Sequence, residues 1–202
     1  MGLYDRYVWL DDVSESVKDD FKKSYLYLLN KATIKNNGRC LLLKNPSNTA
    51  RIKLLLEMFP DAKFVHIHRN PYHQFLSMSR FMKIVIPLYC LQTPPSFDEV
   101  EEHLLGMYEH MYRTYLAERK LVPKDHLIEI GYEDFVSDPL PELKRIYDTL
   151  HLDGFTDVEH RFRAYLLAQS EIHPHQYTIS DELRQKVSSR WGFAFDAFGY
   201  DR

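Results

Sequence analysis

Apolar positions recur along this chain with two periods, and their alternation outlines the fold. Val17, Phe21, Tyr25, Leu28 and Ala32 stand at helical spacing and predict an amphipathic helix over 14–33. Asn36-Asn37-Gly38 is a turn. Residues 40–44 are a short continuous apolar run, the pattern of a strand buried on both faces of a parallel sheet. A helix over 49–59 closes at Phe59-Pro60-Asp61, and 63–68 reads as a second strand. Arg69-Asn70-Pro71 then turns into a helix, with Asn70 as N-cap and Pro71 in the first helical position. After a loop holding Pro94-Pro95 come a long helix over about 98–117, a third strand over 126–130, and a helix over 140–150 that carries Leu143, Ile146, Tyr147 and Leu150 on one face. Two or three further helical segments reach Arg190, and an aromatic tail follows: Trp191, Phe193, Phe195, Phe198 and Tyr200. Strands alternating with helices predict an α/β layered fold with a parallel sheet. Three strands fall short of the usual five or six, so the sheet reads as incomplete.

Composition narrows the picture. A chain of 202 residues suits a single domain, 1–202, or a trimmed part of a larger one. The formal net charge of -3 supplies no global field for nucleic acid or an anionic membrane, so any anion site must be local. The amino terminus lacks a basic-then-apolar leader, Arg6 stands where a myristoylation motif wants Ser or Thr, and the apolar patch around 85–91 is broken by Pro87. These features predict a soluble, cytoplasmic protein in a reducing compartment. Cys40 and Cys90 make no disulfide framework, and Cys40 is expected as a buried free thiol.

In open parallel sheets ligands bind beyond the carboxyl ends of the strands. The three expected strand ends are followed by Lys44-Asn45-Pro46, Arg69-Asn70-Pro71 and Gly131-Tyr132-Glu133-Asp134, which would present Lys44, Arg69 and Tyr132 to one crevice. Arg69 precedes a helix N-terminus, where free N–H groups favour an anion. Ser77 shares a helical face with residues 70 and 73 or 74, so its hydroxyl can turn toward the same anion. A guanidinium and a hydroxyl together suit phosphate. Tyr132 could stack on a base, and plainer readings stand beside all of these: Arg69 in an ion pair with a carboxylate, Ser77 on the helix surface, Lys44 snorkelling, and Tyr132 packed in the core. His66 and His68 face one side of a strand, and His173 and His175 repeat the spacing, but no third-ligand motif accompanies them, so core or surface histidines are expected and no metal. Arg161 and Arg163 flank Phe162 on a solvated helix face.

Together these residues resemble a known pattern. The stretches LLLKNPSNTARIKLLLEMFPDAKFVHIHRNPYHQFLS and LIEIGYEDFVSDPLPELKRIYDTL resemble the sulfotransferase family, in its broad bacterial branch, over most of residues 35–200. The resemblance implies a three-layer, P-loop-kinase-like parallel sheet flanked by helices and a 3′-phosphoadenosine 5′-phosphosulfate donor, with no metal. By position it implies that Arg69 and Ser77 hold the 3′-phosphate, that Tyr132 lies beside the adenine, and that Lys44 lies near the transferred sulfuryl group. Glu133 and Asp134 match an acidic pair read as caps and buried hydrogen-bond acceptors. The glycine-rich loop that opens the family fold and cradles the 5′-phosphosulfate is absent, and Pro46 stands where one branch carries a His base. The expectation is therefore the carboxy-terminal part of a sulfotransferase, enzymatic in its full-length form, with donor binding rather than turnover by these 202 residues alone. The acceptor, a hydroxyl or an amine, would be read by variable loops such as 86–97. A second reading is a non-catalytic interaction module on the same fold, its apolar face covered by a partner or, in a homodimer, by a second copy. A small nucleotide kinase would need a phosphate loop that this sequence lacks.

Overall fold

The computed structural model describes residues 2–10, 12–169 and 177–202. They form two compact units: Met1–Ala62 with Met111–Leu121, and Lys63–His110 with Val122–Arg202.

In the first unit, helix α1 (Gly2–Trp9) and the 21-residue helix α2 (Glu15–Lys35) precede α3 (Ile52–Met58). Ser14 caps α2 by accepting a hydrogen bond from the Val17 amide, so the helix starts where the pattern predicts. Arg51 ties the unit together. It is buried, its guanidinium donates to the Tyr7 carbonyl at 2.6 Å, and it lies 4.9 Å over the Phe21 ring. A charge this deep is tolerated because a carbonyl and an aromatic face compensate it.

Residues 40–44 depart from expectation. They form no strand, and Leu42 is 96% exposed. Cys40 is exposed rather than buried. A run of apolar residues becomes a doubly buried strand only when a neighbouring strand pairs its backbone. Among the described residues this run has no such neighbour.

The second unit holds the sheet. Strands β1 (Phe64–His68) and β2 (Leu127–Gly131) pair in parallel, with Phe64 opposite Leu127 and His68 opposite Gly131. Two strands rather than three are therefore present among the described residues, in an α/β unit that is mostly helical. Around them lie α4 (Pro71–Tyr89), α5 (Phe97–Glu118, whose residues from Met111 on belong to the first unit), α6 (Tyr132–Ser137), α7 (Pro139–Thr149), α8 (Phe155–Ala168) and α9 (Asp181–Phe198).

Ile128 and Ile130 point to one face of β2 and pack with Leu150, Phe135 and Ile146. On β1 the polarity is inverted: His66 is buried, while Val65 and Ile67 are 39% and 47% exposed. The expected aromatic tail is helical as far as Phe198, and its Trp191 and Phe195 form a second core. The Trp191 indole donates to the Leu105 carbonyl at 3.0 Å and stacks 3.7 Å from the Tyr108 ring centre, and Phe195 packs 4.7 Å from Tyr72. Burying an indole costs little when its N–H finds a carbonyl. Arg190 braces the same helix against Glu102 at 2.6 Å and Glu109 at 3.2 Å.

Candidate functional site

The register of the two strands decides where the site lies. β1 and β2 end level, His68 opposite Gly131, so Arg69 and Tyr132 leave the sheet side by side. The Arg69 guanidinium sits 4.4 Å over the Tyr132 ring. It pairs with no carboxylate among the described residues, and its buried Nε has no hydrogen-bond partner. The ion-pair alternative for Arg69 is thus not what the geometry offers. Stacking fixes the plane of the guanidinium and leaves its donors unspent.

Asn70 performs the expected capping, its Oδ1 accepting from the Tyr72 amide at 3.0 Å, with Pro71 opening α4. Ser77 lies on α4, half-buried, two turns into the helix. Lys44 belongs to the first unit and is exposed in irregular backbone. Its expected perch, the end of a buried strand, does not exist there.

Glu133 acts between the strand ends. Its Oε1 accepts from the Asn70 amide at 3.1 Å, and its Oε2 accepts from the Tyr200 hydroxyl at 2.9 Å. The Tyr200 hydroxyl also lies 2.9 Å from His68 Nδ1. The Phe198 ring stacks on His68 at 4.5 Å. Burial pushes the pKa of His68 down, against the opposing pull of the Glu129, Glu133 and Asp134 carboxylates, so the ring favours its neutral form. Asp134 folds back toward Gly131, where an added Cβ would lie 2.8 Å from its Oδ2.

The sequence places Tyr200 only within an aromatic tail, expected to close the core against the sheet or to line the donor pocket; its bonds to Glu133 and His68, and the part that His68 plays, were not expected. The one available signal was the aromatic cluster near the carboxyl end. No group of three or more His, Cys, Asp or Glu among the described residues could hold a metal ion, and His173 and His175 lie outside those residues. Arg163 pairs with Glu159 at 2.7 Å on an exposed helix face, as expected. No helix among the described residues is long and apolar enough to cross a membrane.

Comparison with known proteins then gives the arrangement a context. The model of the sulfotransferase family matches residues 7–157. The omega-hydroxy-beta-dihydromenaquinone-9 sulfotransferase Stf3 of Mycobacterium bovis is 33% identical over 199 residues, 98% of this chain and 51% of that protein. The protein of the same name from Mycobacterium tuberculosis matches to the same extent. The chain thus spans about half the length of the curated relatives it matches. Among solved structures, sulfotransferase STF9 from Mycobacterium avium superposes with a TM-score of 0.78 over 98% of this chain and 51% of its own, at 21% identity. Sulfotransferase STF1 from Mycobacterium tuberculosis gives a TM-score of 0.53 over 82% of this chain and 41% of its own, at 18% identity.

Proposed function

The chain belongs to the sulfotransferase family, and on that premise we propose that its second unit grips the nucleotide end of a 3′-phosphoadenosine 5′-phosphosulfate donor, for transfer of the sulfuryl group to an acceptor hydroxyl. The observation that carries this reading is the state of Arg69. A half-buried guanidinium is held flat on an aromatic ring, with a buried donor atom unsatisfied and no carboxylate partner among the described residues. An unmade hydrogen bond at a buried donor costs about 1–3 kcal/mol, and a bound anion recovers it.

Arg69 is the clamp for the 3′-phosphate, and Ser77, on the helix that follows it, adds a hydroxyl donor. Tyr132 offers the adenine the ring face opposite the guanidinium. Lys44 enters this reading by sequence position, as the ammonium that offsets negative charge on the bridging oxygen while the acceptor oxygen–sulfur bond forms and the sulfur–oxygen bond to the 5′-phosphate breaks. The hydroxyl acceptor class follows the Stf3 relatives, whose names specify an omega-hydroxy compound.

Titration calorimetry with 3′-phosphoadenosine 5′-phosphate tests the reading. The wild-type chain binds it, adenosine 5′-phosphate binds far more weakly, and Arg69→Ala loses about 1.5–3 kcal/mol of affinity. A folded wild-type chain that binds neither nucleotide overturns it.

A further inference from the structure

The polar groups behind the Arg69–Tyr132 pair form a chain whose proton order is dictated by chemistry. The Glu133 carboxylate can only accept. It accepts from the Asn70 amide at Oε1 and from the Tyr200 hydroxyl at Oε2. That uses the one phenolic proton of Tyr200. His68 Nδ1, 2.9 Å from the same oxygen, must therefore donate, which fixes His68 in its Nδ1–H tautomer. Two further approaches are longer: the Tyr200 hydroxyl lies 3.5 Å from the His68 carbonyl, and His73 Nδ1 lies 4.0 Å from Glu133 Oε1.

The ends of this chain are the neighbours of the anion site. Asn70 follows Arg69, and Glu133 follows Tyr132. One carboxylate thus ties the turn after β1 to the turn after β2. The tyrosine that steadies it comes from the far end of the sequence. Gly199 takes the left-handed conformation (φ 72°), and the Tyr200 amide bonds back to the Phe195 carbonyl at 3.0 Å, which aims the ring at the strand ends.

We propose that Glu133 and Tyr200 are positioning residues that hold the Arg69 guanidinium on the Tyr132 ring, so that residues at both ends of the second unit assemble one phosphate clamp. The inference rests on the donor-binding reading for its purpose, and its geometry can be tested without a nucleotide. Nuclear magnetic resonance of the 202-residue chain supplies two signals: the tautomer of His68, and the Arg69 Nε–H resonance, displaced by the Tyr132 ring current.

Wild type shows the Nδ1–H tautomer. Tyr200→Phe keeps the ring but removes the hydroxyl. It releases the tautomer and moves the Arg69 signal toward that of a free arginine. Glu133→Gln retains a carbonyl for Asn70 and presents an N–H₂ to Tyr200. The relay then reverses, and His68 switches to Nε2–H while Arg69 stays on the ring. Affinity for 3′-phosphoadenosine 5′-phosphate falls about tenfold in Tyr200→Phe and in Glu133→Ala, the loss of about one buried hydrogen bond, whereas Glu133→Gln stays within about threefold. If the wild type fails to bind the nucleotide while the Arg69 signal responds as stated, the donor reading falls and the positioning role stands. If the wild type binds but Tyr200→Phe leaves both the Arg69 signal and the affinity unchanged, or if wild-type His68 is Nε2–H, the positioning role is overturned.

Discussion

Two stretches of this chain are written almost alike. Residues 40–46 and 64–71 each pass from a strand-like run, Cys40-Leu41-Leu42-Leu43 in one and Phe64-Val65-His66-Ile67-His68 in the other, to a cation, an asparagine and a proline: Lys44-Asn45-Pro46 and Arg69-Asn70-Pro71. The two asparagines even behave alike. Asn45 accepts from the Ser47 amide and Asn70 from the Tyr72 amide, both at 3.0 Å. Their surroundings differ. The first run is exposed, unpaired backbone ahead of a five-residue 3₁₀ turn, Pro46–Ala50. The second is a strand laddered to β2, ahead of a 19-residue helix. Local sequence writes the option of a strand, and a neighbouring backbone decides whether it is taken up. The difference extends to the cations, since Arg69 is immobilised on a ring whereas Lys44 lies exposed in irregular backbone.

Matched substitutions break or sharpen this contrast, the largest effect first. Ile130→Ala, in the core beneath the ladder, costs about 2–5 kcal/mol in urea unfolding of the second unit, while Leu42→Ala in the exposed run stays within about 0.5 kcal/mol. Equal costs would show that the exposed run is as well packed as the core beneath the ladder. Next come the cations. Arg69→Ala weakens 3′-phosphoadenosine 5′-phosphate about 10- to 150-fold by calorimetry, and Lys44→Ala changes it less than about threefold, because an exposed ammonium contributes little to ground-state binding. Then come the caps. Asn70→Ala lowers stability by about 1 kcal/mol, and Asn45→Ala by a few tenths, since only Asn70 starts a long helix.

The smallest effect is that of pH. Burial holds the folded-state pKa of His68 below its ordinary value of 6.5. As pH falls, the unfolded chain takes up the proton first. The contribution is therefore complete above about 6.5 and drains away as pH drops from there through the folded value. His68→Gln removes this component, and hydrogen exchange across β1 between pH 7.5 and 5.5 reads it out. A wild type no more acid-sensitive than this variant would contradict the assignment.

The contrast also explains what the sequence made legible. The span of β1, the Asn70 cap, Pro71 at the helix start and the face of α7 followed from periodicity and turn chemistry, which act over a few residues. The placing of Arg69 and Tyr132 just beyond strand ends followed from the expected strand boundaries. Three things did not follow. The 40–44 run lacked the pairing that its pattern assumed. His66 lies buried on β1 while Val65 and Ile67 are exposed, because the face that α9 covers was taken by the histidines. Tyr200 joins His68 across 132 residues of sequence, a distance over which no local rule operates.

The level ending of β1 and β2 has an evolutionary side. Adding one residue to either strand would carry the following side chain about 3.3 Å onward and turn it to the opposite face of the sheet. Arg69 would leave its ring and Glu133 would lose one of its two turns. The Arg69–Tyr132 stack is thus counted out in residues, five in each strand. A lineage carrying it is free to substitute within the strands but not to lengthen or shorten them. Insertions and deletions should collect elsewhere, in segments such as 90–96, where no ladder keeps count.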